Sequence, residues 1–318
     1  VLVIMRQKLL LIRLIKKIMS NTYKKQILER ALNRNLKLIL PESEDPRIIK
    51  SIKELRKKGF NIIDLSEIDK RKYFSLAKSK KFTNNWTDKM IYDYLEDPLN
   101  LSILALDNDD LDCVVAGSQY KTADVIRSSI RIIGLKKTSE WVSSVFIMLS
   151  PNNKNIYTFS DCGVIPEPSS EQLCSIAYEA SCMHELISNE KPKVAFLSFS
   201  TKGSAEHYKV KKVQNAVRLF SLKYPNILHE GEIQFDVAIS SSIAKKKIKH
   251  PTLDGDANVF VFPDLDSANI AYKITQHLAG YQALGPILMG LKKPVNDLSR
   301  GCNVDDIIYV SAISALQK

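Results

Sequence analysis

Cysteine is scarce in this chain: five residues in 318 (Cys113, Cys162, Cys174, Cys182, Cys302), no two of them in a CxxC pair. An odd, scattered set of thiols excludes a disulfide framework and a cysteine zinc site, and its simplest setting is a reducing cytoplasm. Histidine is as sparse. His184, His207, His229, His250 and His277 stand apart, without the HxxxH or HExxH spacing that sets two imidazoles on one helix face, so no structural or catalytic metal is expected. No GxxxxGK[ST] loop occurs, which argues against nucleotide hydrolysis of the P-loop kind. Long hydrophobic runs are missing too; Leu9 to Ile12 is far too short to span a bilayer or to form a full signal core, so no membrane partner is expected. Internal repeats, low-complexity tracts and long flexible linkers are also absent.

What remains is ordinary globular composition, 45% hydrophobic and 25% charged. At 318 residues the chain suits one large α/β unit or two linked lobes. The net charge is +11, but Arg6, Lys8, Arg13, Lys16 and Lys17 precede Met19, and subtracting these five leaves +6 for residues 19–318. That excess is spread over lysine-rich stretches such as Lys50 to Lys58 and Lys245 to Lys249, without interleaved aromatics. It reads as a solvated face rather than a nucleic-acid surface, and as a mild positive field for anionic substrates. Residues 1–18 contain no acid and are read as an upstream extension, with a basic amphipathic leader as the alternative; Met19 opens a helix.

Strand, loop and helix alternate along the rest. The run from Leu36 to Pro41 is a short buried strand, and Asp45-Pro46 caps and opens a helix over 47–58 that stops at Gly59. Residues 111–117 form a second buried strand, after which Thr122 is expected to cap an amphipathic helix reaching Gly134. Further strands are predicted over 142–149, 156–161, 193–199, 233–240 and 258–263. Ser169 with Gln172 forms a capping box for a helix reaching His184, and Asn303 caps the last helix. The alternation predicts an α/β fold with a largely parallel sheet, whose sites lie in loops at the carboxyl ends of strands. Three such loops carry chemistry: Ala116 to Thr122, Ser198 to Ser204 and Asn296 to Asn303.

In SFSTKGS the hydroxyls, the backbone N–H groups and the Lys202 ammonium have the makings of a phosphate cradle at a helix start, though a plain serine-rich turn explains them as well. In NDLSRGC a serine hydroxyl, an arginine fork and a glycine stand together just before a helix. Arginine binds phosphate or carboxylate bidentately, and a fixed hydroxyl can stabilise charge on an attacked carbonyl; a polar helix-opening turn is the plainer reading. Asp306 lies in the first turn of that helix, where capping is its plain explanation, and only one of Asp305 and Asp306 can face the Ser299–Arg300 loop. Arg127 sits near the start of its own helix, where a cation gains nothing from the dipole and so points to a ligand; surface solvation explains it equally. Cys302 has no histidine beside it to make a paired nucleophile and is expected to be a small buried side chain.

Several segments together resemble the phosphate acetyltransferases: LPESEDPR (40–47), VAGSQYKTADVIR (115–127), VSSVFIM (142–148), DCGVIPEPSSEQL (161–173), SFSTKGSA (198–205), ANVFVFPDLDSANIAYKI (257–274) and GPILMGLKKPVNDLSRGC (285–302). The likeness is dense and collinear from 112 to 318. It implies a two-lobed fold with largely parallel sheets and flanking helices, like that of isocitrate and isopropylmalate dehydrogenases, with the active site in the cleft. On this reading residues 19–138 with 290–318 form one lobe and 139–289 the other, and the protein is a homodimer. The implied reaction is reversible acetyl transfer between coenzyme A and phosphate by direct thiolate attack, with coenzyme A as substrate and no tightly bound cofactor. The resemblance makes Asp306 the base, Ser299 the oxyanion partner, and Arg300 and Arg127 the phosphate holders. It selects Asp306 over Asp305. From the two other loops, Thr122 and the phosphate-cradle residues Ser200, Thr201, Lys202, Gly203 and Ser204 are expected to bind substrate.

Departures accompany it. The family's basic RKxKG-like stretch corresponds to AKSKK (77–81), with Ala77 in the arginine place, so Lys78 or Lys80 is the expected substitute. The segment after Gly59 is shortened, and Ile165 stands where asparagine is usual. Two other readings are kept: a phosphate butyryl- or propionyltransferase with a wider acyl pocket, and a non-catalytic acetyl-CoA-binding homologue, which Ala77 favours and Ser299, Arg300 and Asp306 oppose.

Overall fold

The computed structural model describes residues 23–318; the expected extension at 1–18 and the helix start at Met19 lie outside them. The chain runs α1 (Tyr23–Leu32), β1 (Lys37–Ile39), α2 (Pro46–Lys58), β2 (Asn61–Ile62), α3 (Phe74–Lys78), α4 (Asp88–Leu95), α5 (Pro98–Asp107), β3 (Cys113–Ala116) and α6 (Thr122–Ile132). It continues with β4 (Ser143–Leu149), β5 (Ile156–Ser160), α7 (Ser170–Ser188), β6 (Lys193–Leu197), α8 (Tyr208–Lys223), β7 (Leu228–Ile233), α9 (Phe235–Ile239) and α10 (Ser241–Lys247). The last elements are β8 (Val259–Val261), α11 (Leu265–His277), β9 (Gln282–Met289), β10 (Val295–Asp297) and α12 (Val304–Gln317). Among the described residues no helix is long and apolar enough to cross a membrane.

Two sheets result. The first has four parallel strands in the order β10-β3-β1-β2; the second has six in the order β7-β6-β8-β5-β4-β9, parallel from β7 to β5 and antiparallel at β4 and β9. Strand β3, CVVA, is buried at every position, as a central parallel strand covered on both faces must be. Chain order also determines how the sheets join. The connection from β9 to β10 carries the chain back to the first sheet, and buried Asn296 ties the crossing. Its Oδ1 accepts from Leu288 N–H at 2.8 Å, and its Nδ2 donates to Ser314 Oγ at 2.6 Å and Gln317 Oε1 at 2.5 Å. Helix α12 packs on α1, α2, β3 and β9, so one apolar core runs from Ile27, Leu55 and Val115 through Ile313 to Val145 and Leu284.

Local chemistry sets the helix ends. Asp45 accepts the Arg47 N–H at 2.8 Å, Pro46 takes the first helical position, and Gly59 closes α2 in the left-handed region at φ 97°. The capping box of α7 forms as expected between Ser169 and Gln172.

One strand expectation needs correction, and one strand was not expected. Residues 233–240 are not a strand: β7 ends at Ile233 and α9 follows. The true strand, LHEGEI, looks polar because it carries two glutamates, yet Glu230 and Glu232 are buried there and hydrogen-bonded by loop groups. Strand β9 escapes sequence reading because Gly285-Pro286 interrupts it, a pair that normally signals a turn. The structure accommodates the pair at an irregularity in the β4–β9 ladder, where pairing shifts between Val145↔Ile287 and Ile147↔Leu284.

Candidate active site

Strand β10 ends at Asp297, and the chain turns through Ser299, Arg300 and Gly301 before Asn303 caps α12. The turn closes on itself: the Cys302 N–H donates to the Ser299 carbonyl at 2.8 Å and the Gly301 N–H to Ser299 Oγ at 3.3 Å. It is held from below by Arg47. Nη1 of that residue donates to the carbonyls of Arg300 and Cys302, Nη2 donates to Ser118 O at 3.1 Å, and Nε and Nη2 grip Asp45 at 3.1 and 2.6 Å. This grip holds the Asp45 carboxyl down at about 2. The Arg300 guanidinium itself is exposed and makes no hydrogen bond or ion pair with the described residues. Spending one arginine on the scaffold leaves the other free for a ligand.

The β3–α6 loop joins the same place. The Glu42 carboxylate accepts three successive N–H groups, from Ser118 at 3.0 Å, Gln119 at 2.6 Å and Tyr120 at 2.8 Å. Thr122 does not cap α6; Lys121 occupies the cap position and Thr122 the first turn, which frees its hydroxyl to donate to Asp297 Oδ2 at 2.5 Å. The loops at 40–47, 116–122 and 296–303 therefore form one polar platform. A pocket of 470 Å³ adjoins it, lined by Glu42, Ser43, Glu44, Leu65, Pro98 and Tyr120 among others.

Asp305 and Asp306 differ in exposure, although Gln282 Nε2 donates to both at 3.1 Å. Asp305 is exposed and also pairs with Lys24 at 2.8 Å. Asp306 is only 8% exposed; its Oδ2 accepts the Asn303 N–H at 3.0 Å and its Oδ1 the Gln282 Nε2 at 3.1 Å. It is thus both the reciprocal cap of α12 and the inward-facing carboxylate of the pair. Burial pushes the Cys302 thiol up to about 11, so it stays protonated at neutral pH, in keeping with a buried packing role.

Other expected residues are paired within the protein. Arg127 is exposed and pairs with Asp124 at 2.6 Å on its own helix, with no hydrogen bond to the 296–303 loop. Lys78 pairs with Asp88 at 2.7 Å. Lys80 joins Asp107 at 2.5 Å and the Ile132 carbonyl at 2.8 Å, tying the segment after α3 to α5 and α6. Ala77 is fully buried in the packing of α3.

SFSTKGS does not open a helix: α8 begins only at Tyr208, capped by His207. Its cradle is already filled by the protein. Glu232 Oε1 accepts from Ser200 Oγ at 3.0 Å and Gly203 N–H at 2.6 Å, the Lys202 N–H goes to the Glu232 carbonyl at 3.0 Å, and the Thr201 N–H goes to Ser204 Oγ at 2.9 Å. The Lys202 ammonium reaches the Gly231 carbonyl at 3.0 Å and Glu230 at 3.6 Å. The donors foreseen for phosphate are thus bonded to Glu232 in this structure. Among the described residues no group of three or more His, Cys, Asp or Glu is gathered to hold a metal.

Sequence reasoning missed Arg47, Glu42 and Asp297. A signal for Arg47 was present: it follows Pro46 in the first turn of α2, where a cation opposes the dipole and needs a partner.

The profile of the Phosphate acetyl/butaryl transferase family matches residues 60–315. A phosphate acetyltransferase of Acetivibrio thermocellus is 36% identical, with 93% of this chain and 98% of the relative covered. One of Paracoccus denitrificans is 37% identical, with 91% and 96% covered. A phosphotransacetylase from Streptococcus pyogenes has a similar structure, with a TM-score of 0.82 at 31% identity over 95% of this chain and 98% of that one. With this match over most of its length, and with the platform the site loops build, the chain belongs to the Phosphate acetyl/butaryl transferase family.

Proposed function

We propose that this chain is a phosphate acetyltransferase that moves an acetyl group reversibly between coenzyme A and inorganic phosphate, with Asp306, Ser299 and Arg300 at the reacting centre. The observation that carries the site is the Ser299–Arg300 turn: anchored from below by Arg47, it leaves the Arg300 guanidinium unpaired, with the buried Asp306 carboxylate on the adjoining first turn of α12.

In the forward direction the coenzyme A sulfur attacks the acetyl phosphate carbonyl. The S–C bond forms, the C–O bond to phosphorus breaks, and phosphate leaves with the bonding pair. Asp306 takes the thiol proton and passes it to the departing phosphate. Ser299 Oγ donates to the carbonyl oxygen as it becomes negative, and Arg300 holds the phosphate bidentately. Arg127, exposed on α6, is the second phosphate cation once its Asp124 pairing is exchanged for the ligand. Proton loss accompanies attack, and the oxyanion and phosphate contacts carry most of the barrier lowering.

The two sheets are read as two lobes, residues 19–138 with 290–318 and residues 139–289, arranged as in isocitrate and isopropylmalate dehydrogenases with the substrate cleft between them. The return of β10 and α12 to the first sheet supports that division. A homodimer fits as well, since Ile270, Ile274 and Leu278 form an exposed apolar stripe along and just past α11, and a cytoplasmic setting is the accompanying reading of the scattered free thiols.

The test is thioester formation from acetyl phosphate and coenzyme A, with propionyl and butyryl phosphate in parallel, for wild type, Asp306→Asn and Arg300→Ala. Acetyl phosphate is expected to be the best substrate, and both variants are expected to lose most turnover. Wild-type inactivity overturns the reaction, and full activity of Asp306→Asn overturns the base.

A further inference from the structure

Asp297 stands at the carboxyl end of β10 with 1% of its surface exposed. Its Oδ2 accepts the Thr122 hydroxyl, while its buried Oδ1 has no hydrogen-bond partner. Across from Oδ1 lies Gly117 at φ 104°, so close that a Cβ there would overlap both that oxygen and the Leu298 amide. Glycine is needed here for contact as much as for backbone angle. Isolated negative charge in such a place is expensive without a cation or several donors, and the Thr122 hydroxyl with the nearby Leu298 amide does not supply that.

We propose that Asp297 is a positioning residue for acyl transfer, which through Thr122 and the close approach of Gly117 holds the amino end of α6 and the Ser299–Arg300 turn in the arrangement the reaction uses. The inference rests on the acetyl-transfer reading of the site. Asp297 reaches no substrate itself. It acts as a neutral acid packed between two loops, in the span between the strand end at Asp297 and the Ser299 hydroxyl.

The charge state of Asp297 governs this arrangement. Burial above all, with the Glu42 charge adding to it, pushes the carboxyl up to about 7, against the Thr122 hydroxyl and the Leu298 N–H, which favour the charged form. The groups facing it are Glu42 from the β1–α2 loop, Thr122 from α6 and the Leu298 amide from its own loop; among the described residues no cation pairs with it. Below about 7 it is neutral and the loops stay docked. Above that pH a second negative charge appears beside Glu42, with one oxygen unsatisfied, and the platform loosens.

The experiment is the pH profile of kcat and KM on the full chain with acetyl phosphate and coenzyme A, for wild type, Asp297→Asn and Thr122→Val. Wild-type kcat is expected to decline on the alkaline side. In Asp297→Asn, a permanently neutral isostere, that limb is expected to vanish while kcat near pH 6 stays within about threefold of wild type. Thr122→Val removes the link itself and a bond that favours the charged form, so kcat near pH 6 falls and the remaining limb moves to higher pH. In parallel, the infrared carbonyl band of a protonated carboxyl is followed in wild type and in both variants, a readout that needs no turnover. Loss of that band in Asp297→Asn near pH 6 and its upward-shifted titration in Thr122→Val support the proposal. An unchanged limb in Asp297→Asn, an unmoved limb in Thr122→Val, or a band already absent from wild type near pH 6 overturns it. Inactive wild type with the band present and titrating overturns the acetyl-transfer reading instead.

Discussion

Nη1 of Arg47 donates to the carbonyl oxygen of Arg300 at 2.7 Å, joining the start of α2 to the turn before α12. The same guanidinium holds Cys302 O, Ser118 O and the Asp45 carboxylate, a fork that no other side chain can reproduce. Arg47→Lys keeps the charge but can fill only part of that set. It is expected to cost about 2 kcal/mol in urea unfolding, the scale of a broken buried hydrogen-bond network, and to lower kcat/KM further by letting the Ser299–Arg300 turn drift. Unchanged kcat/KM in a destabilised Arg47→Lys would mean the turn does not depend on its anchor.

Asp45 gives this anchor a pH signature. Its carboxyl is held at about 2, below its ordinary 3.8, first by the Arg47 side-chain hydrogen bonds. A depressed folded-state pKa contributes stability that is present above about pH 4 and is lost as the pH falls through 2, and a difference of nearly two units is worth about 2 kcal/mol. Asp45→Asn is therefore expected to be less stable than wild type at neutral pH and to converge with it near pH 2. Urea midpoints measured across that range check the sign; parallel curves would contradict it.

Asp305 and Asp306 provide an internal control, since they are adjacent in sequence and share the Gln282 amide, yet Asp305 is exposed and Asp306 is buried. Asp305→Asn removes an exposed pairing with Lys24, of a kind worth less than about 1 kcal/mol, and should leave turnover intact. Asp306→Asn keeps one acceptor for the helix cap but no base, so turnover should fall by about a hundredfold or more, with a much smaller change in Tm. Equal kinetic effects at the two positions would remove the distinction.

The sequence was most readable where local chemistry alone decides the structure. Asp45-Pro46, Gly59, Ser169 with Gln172 and Asn303 with Asp306 signal their caps within a few residues, and the caps form. It was least readable where a distant partner overrides a local pattern. Glu230 and Glu232 make β7 look polar until the loops at 200–203 and 252–253 satisfy them. Gly285-Pro286 reads as a turn until the shifted register opposite Val145 and Ile147 absorbs it. Thr122 reads as a cap until Asp297, 175 residues away, claims its hydroxyl. In the site, residue types located the 296–303 loop, but Arg47 holds it from 253 residues away, and Glu42 orders the neighbouring 118–120 loop.

SFSTKGS is the sharpest case of such an override, because its residue types suit phosphate while its donors already serve Glu232. Two substitutions separate the roles. Glu232→Ala strands the Ser200 hydroxyl and the Gly203 N–H in a buried place, and is expected to cost about 2–3 kcal/mol in unfolding free energy. Lys202→Ala removes a half-exposed ammonium that caps the Gly231 carbonyl and faces Glu230, so it should cost about 1 kcal/mol or less. If the loop is framework, the KM for phosphate in Lys202→Ala stays within about threefold of wild type, the size of a lost weak, indirect contact. A rise of tenfold or more, with Tm unchanged, would mean that Lys202 leaves Glu230 for the substrate and that the loop rearranges to receive phosphate.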